Sequence, residues 1–168
     1  MSAIQQTIAS FGASRPNQYR FWRLYITANG GDVGYQSASE VQLRETPGVA
    51  ANMPAIASSS DRGFLSAAYG IDKLYDGIIS DTSNWICAAG DVSFPQGLNF
   101  DLGYPRTVRE LAIAPQPTVP LRAPKTFSLL GSNVDLNGPY ELVGIYSTAT
   151  YSSAPNPPFT TFPVPYGV

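Results

Sequence analysis

Apolar and polar residues alternate along several short stretches of the chain. From Tyr19 to Thr27, Trp22, Leu24 and Ile26 fall on one side and Arg23 and Tyr25 on the other. A period of two is that of a β-strand with one buried face, and aromatic and β-branched residues suit it. A second strand is predicted from Ala38 to Glu45, with Val41 and Leu43 inward and Glu40, Gln42 and Arg44 opposite. Further strands are predicted at Gly97 to Gly103 (Leu98, Phe100 and Leu102 on one face), Thr107 to Ala114, Thr126 to Gly131 and Tyr140 to Ser147. The turn Ser132 to Pro139 joins the last two. No window keeps a helical period between two caps.

The stretches between are turns and loops. Asn29-Gly30-Gly31-Asp32 has turn chemistry. Pro47 to Gly70, rich in Ser, Ala and Gly, is a long connection. Ile71 to Trp85 is an irregular loop with a short helical turn around Lys73-Leu74-Tyr75. Pro115 to Pro124 holds four prolines and is a loop or a sheet edge. Residues 152–168 carry five more prolines with Phe159, Phe162 and Tyr166. They are expected to form an extended arm, either loose or packing its aromatics on a neighbouring subunit. Residues 1–18 are polar and form a second arm. One domain, 19–151, lies between the arms.

Composition narrows the function classes. The chain has 168 residues, enough for one domain with its own core. Hydrophobic residues make up 43% and charged residues 13%, against about a quarter charged in an average protein. The net charge of −2 and the lack of a basic run argue against nucleic acid as a partner. No apolar run is long enough to span a membrane, and the first residues lack the pattern of a signal peptide. There is no histidine and one cysteine, Cys87. That removes histidine-dependent triads, His- and Cys-based zinc sites and any internal disulfide. Cys87 and Trp85 read as buried apolar residues. The acidic residues are scattered singly rather than as a glycosidase pair.

Four phrases together resemble the discoidin-like, or coagulation-factor C-type, family of galactose-binding-like jelly rolls. Leu74-Tyr75-Asp76-Gly77 with Thr82-Ser83-Asn84-Trp85 is similar to the family's Asp-Gly loop. Gln96-Gly97-Leu98-Asn99-Phe100-Asp101-Leu102-Gly103 is similar to its strand ending in Asp-Leu-Gly. Lys125 to Asn133 is similar to its strand and turn ending in Ser-Asn. Tyr19 to Ile26 with Ser39-Glu40-Val41-Gln42-Leu43 resembles its closing strand pair, here placed first. The resemblance covers residues 19 to 147. It implies an all-β jelly-roll sandwich that is circularly permuted, as in some phage virion and tail proteins. Two departures fall at the ligand end. The loop from Asp76 to Trp85 is longer, and Tyr140 stands where many members carry Trp.

The resemblance also implies sites. A structural calcium ion would be held by Asp76, Asp81 and Thr82 of the loop with Glu40 of the strand, Asp72 being a weaker candidate; otherwise Asp76 caps its turn and Glu40 is solvated. A cell-surface glycan would meet loop residues at one end: Arg62, Phe64, Tyr69, Asn84, Phe94 and Tyr146. The other reading of these aromatics is core or subunit interface. The expected function is a non-catalytic virion component of the tail, baseplate or capsid surface. It would be made in the host cytoplasm, contact glycan for host attachment, and dock to other virion proteins or to itself through the Pro-rich arm. A purely structural decoration and a cellular carbohydrate-binding module are the alternatives.

Overall fold

The computed structural model describes residues 17–49, 53–88, 92–148, 151–154 and 157–165. Among these the chain is mostly antiparallel β-sheet with three short 3-10 helices. Strands β1 (Gln18–Asn29), β4 (Ala57–Ser60), β6 (Gln96–Thr107), β8 (Pro124–Ser132) and β9 (Glu141–Ser147) form one sheet in the order β4-β6-β1-β8-β9. Strands β3 (Glu40–Arg44), β7 (Glu110–Ala114) and β10 (Thr160–Pro163) form a second, in the order β10-β7-β3. A two-stranded ribbon of β2 (Ser37–Ala38) and β5 (Trp85–Ile86) runs into it, since β2 and β3 are separated only by Ser39.

The period-two pattern decides which faces meet. Trp22, Leu24 and Ile26 of β1, Leu98, Phe100 and Leu102 of β6, and Phe127 and Leu129 of β8 supply one wall of a single buried cluster. Val41 and Leu43 of β3, Leu111 and Ile113 of β7, and Phe162 and Val164 supply the other. Two sheets packed through one core make a β-sandwich. Trp85 and Cys87 are both fully buried in it, as expected from the sequence.

Three elements differ from the sequence expectation. The Ser-rich β4 lies inside the stretch expected to be a connection; it pairs with β6 from Ala57 opposite Asp101 to Ser60 opposite Leu98. Its sequence carries no alternation, so only its neighbour makes it a strand. The outward face of β3 is buried as well. Arg44 donates to Gln42 Oε1 (2.7 and 2.9 Å) and to Glu110 Oε1 (2.7 Å), and its guanidinium lies 4.9 Å from the centre of the Phe159 ring. The C-terminal segment is not a loose arm over residues 160–163. It pairs with β7 as an edge strand and sends Phe162 into the chain's own core. Proline is tolerated there because an edge strand leaves alternate N–H groups unpaired. The expected N-terminal arm lies outside the described residues as far as residue 16, as do Pro155 and Tyr166.

Candidate functional site

The loop from Asp76 to Asn84 sits against the start of β3. Glu40 is wholly buried, and its Oε2 accepts a hydrogen bond from the Gly77 backbone N–H at 3.2 Å. Gly77 has φ +80, a conformation that side chains disfavour. The sequence alternative of a solvated Glu40 is therefore excluded. Ser39 Oγ donates to the Ser80 carbonyl at 3.0 Å and fastens the same loop one residue earlier.

Each carboxylate of the expected calcium set has its own partner. Asp76 Oδ1 accepts from the Ile78 N–H (2.9 Å), and its Oδ2 accepts from Ser83 Oγ. Asp81 Oδ1 accepts from the N–H (3.1 Å) and hydroxyl (2.8 Å) of Thr118, across a cleft of about 360 Å³ lined also by Pro117 and Ser153. Thr82 places its hydroxyl 3.4 Å from that of Ser80. Asp72 forms an ion pair with Lys73. Among the described residues no group of three or more acidic or cysteine side chains is gathered to hold a metal. Calcium needs six to eight oxygens around one point; here the carboxylates of Asp76, Asp81 and Glu40 serve separate anchors of the loop.

The six expected ligand contacts divide. Arg62 donates to Ser93 Oγ at 2.7 Å, which ties the loop after β4 to the loop before β6. Phe64, two residues on, is exposed, and Phe94, next to Ser93, is half-buried against the core. Leu65 N–H donates to the Ile86 carbonyl at 3.0 Å, so this surface adjoins β5. Tyr69 is partly exposed, in a short 3-10 helix (Ala67–Tyr69). The other two residues engage the protein's own framework, Asn84 wholly buried and Tyr146 half-buried. Asn84 is fully buried and donates to the Asp81 carbonyl at 2.8 Å. Tyr146 stacks on Phe127 (5.5 Å between centres), packs against Phe162 and donates its hydroxyl to the Pro163 carbonyl at 3.1 Å. Both are spent on holding the fold together.

Among the described residues four buried side-chain polar atoms have no hydrogen-bond partner: both amide atoms of Gln36, Asn84 Oδ1 and Trp85 Nε1. The register that pairs Ser37 with Ile86 and Ala38 with Trp85 puts Gln36 opposite Cys87, on the face that carries Trp85. Unpaired buried groups cost about 1–3 kcal/mol each, so this ribbon is the least satisfied part of the interior.

The outer face of the larger sheet carries a group that the sequence reading did not assign. The Arg23 guanidinium pairs with Asp61, donates to Asn99 Oδ1 (3.2 Å) and lies over the rings of Tyr25 (5.3 Å) and Tyr140 (5.7 Å). Gly97 leaves the space it occupies: a Cβ there would collide with the guanidinium and with Asp61. Alternation in β1 placed Arg23 and Tyr25 together; the partners Asp61 after β4, Asn99 of β6 and Tyr140 of the 132–140 turn depend on long-range pairing.

Among the described residues no helix is long and apolar enough to cross a membrane. No protein-family model, no curated protein and no solved structure matches the chain.

Proposed function

We propose that the chain is a non-catalytic binding module, a circularly permuted discoidin-like jelly roll that contacts glycan as part of a virion surface. The observation that carries the binding reading is the Arg62 loop. A guanidinium tied to Ser93 shares one end of the sandwich with exposed Phe64 and with Phe94. An aromatic face for a sugar ring and a cation for its hydroxyls are the groups such a site needs. The seating of Glu40 against Gly77 supports the permuted jelly roll, since the resemblance brings those two segments together. The lack of histidine and the single scattering of the acidic residues support a non-catalytic role.

A glycan array with the whole chain tests this reading. Binding to at least one glycan is expected, with weaker binding in Arg62→Ala and Phe64→Ala at unchanged thermal stability. Absence of binding across the array overturns it in favour of a structural joint between virion proteins. That second reading is favoured by β9, an edge strand whose Leu142 and Ile145 are 60% and 70% exposed.

A further inference from the structure

We infer that the cleft between the 132–140 turn and Tyr19 is a subsite for a single neutral sugar ring. The inference rests on the glycan-binding reading, but it places a ligand at a second position. Arg62 lies beyond the Ile26 end of β1 and the cleft lies at its Tyr19 end. The two positions communicate through Arg23, which pairs with Asp61 next to Arg62 and lies over the ring of Tyr140 in the cleft lining.

The cleft has a volume of about 200 Å³ and is lined by Tyr19, Ser132, Asn133, Val134, Pro139, Tyr140 and Glu141. That is smaller than the roughly 300–1,000 Å³ of a drug-sized pocket and suits one ring. Its walls are fixed before any ligand arrives. Asn133 Oδ1 accepts from the Arg20 N–H and its Nδ2 donates to the Gln18 carbonyl, both at 2.8 Å. The Tyr19 ring lies where a Cβ on Gly131 would stand, edge-on to Trp22, and its hydroxyl donates to Glu141 Oε2 at 2.8 Å. Tyr140 donates to the Leu136 carbonyl, and Arg23 lies over its ring. A pre-ordered site spends less of its binding energy on immobilising side chains.

The chemistry of the lining selects the ligand class. Ser132 Oγ accepts from the Val134 N–H, which leaves its own hydrogen to donate. Glu141 uses one oxygen for Tyr19 and presents the other as an acceptor. Val134, Pro139 and the tyrosine rings offer apolar surface between these polar groups. Hydroxyls set around a ring with C–H faces match this alternation. The carboxylate repels an anionic ligand. A cation is disfavoured because Tyr140 already carries the Arg23 guanidinium on its ring.

Saturation-transfer NMR on the whole chain tests the assignment, with methyl galactoside, methyl glucoside and methyl mannoside as probes and sialic acid as the anionic control. The experiment is run in an Arg62→Ala background, so that the loop-end site does not contribute. Transfer to at least one neutral glycoside and none to sialic acid is expected. Glu141→Gln should weaken it about tenfold, the worth of one hydrogen bond to a charged acceptor. Val134→Trp, at an exposed position, should abolish it by filling the cleft. No transfer to any of the three glycosides overturns the inference, and so does transfer that survives Val134→Trp. Weaker array binding in Arg62→Ala than in the unsubstituted chain supports the loop-end site whichever result the cleft gives.

Discussion

Phe162 meets Phe127 edge to face, with ring centres 4.9 Å apart and planes at 87°. One ring belongs to the C-terminal edge strand of the smaller sheet and the other to the larger sheet, so the contact spans the core between them. Phe162→Ala is expected to cost about 3–5 kcal/mol, as other buried Phe truncations do. Urea unfolding monitored by circular dichroism measures it. A loss below about 1 kcal/mol would mean that β10 is not docked in solution.

Gly97 and Arg23 make a coupled pair. Gly97→Ala pushes a methyl group into the guanidinium and Asp61, so it should destabilise the fold by about 1–3 kcal/mol. In an Arg23→Ala background the same change should cost less, because one of the two colliding groups is gone and Asp61 loses the partner that holds it there. The difference between the two costs is the interaction term of a double-mutant cycle. Equal costs in both backgrounds would refute the close approach.

The strands that make up the core were legible in the sequence because Trp22, Leu24 and Ile26, and Leu98, Phe100 and Leu102, repeat every second residue in stretches long enough to read. Two kinds of feature were not. Ser58, Ser59 and Ser60 have no apolar partner face, and β6 alone makes them a strand. Phe162 sits among prolines that argue against a strand, yet an edge position accepts them. The site divided in the same way. Arg62 and Phe64 share a loop by sequence proximity. Asn84 and Tyr146 have the residue types of ligand contacts, but Asn84 is wholly buried and Tyr146 packs on Phe127 and Phe162, which are distant in the chain.

Acid and alkali should unfold the protein through different groups. The Arg20 hydrogen bond, opposed by partial burial and aided by the Gly103 N–H, holds the Asp101 carboxyl below its ordinary value. Partial burial pushes Asp32 up, but hydrogen bonds from Gly34, Arg122 and Tyr35 outweigh it and lower its pKa. Their contribution is present above the unfolded carboxylate value, about 3.9, and is lost as pH falls through the lower folded value. Tyr19 and Tyr140 are pushed up to about 12, chiefly by burial, with the Glu141 hydrogen bond adding at Tyr19. Both are neutral below about pH 10 in either state, so stability is complete there and declines as pH rises toward 12. Asp101→Asn should flatten the acid limb and Tyr140→Phe the alkaline one. Thermal melts across pH check both, and unchanged limbs would contradict the assignments.

Calcium addition is expected to leave the melting temperature unchanged, because Glu40, Asp76 and Asp81 each hold a separate part of the loop. Melts in millimolar calcium against a chelator test this. A rise of several degrees would mean that these carboxylates reorganise around the ion.

Strand β1 lies in the middle of the larger sheet, yet its neighbours β6 and β8 begin only at Gln96 and Pro124. On a ribosome adding about 5–20 residues per second, Trp22, Leu24 and Ile26 emerge roughly 5–20 s before Phe127 and Leu129 exist to cover them. Until Gln96 and the residues after it are made, β1 has neither of its native neighbours. A chaperone, or crowding by sibling nascent chains, then decides whether translation yields folded protein or aggregate.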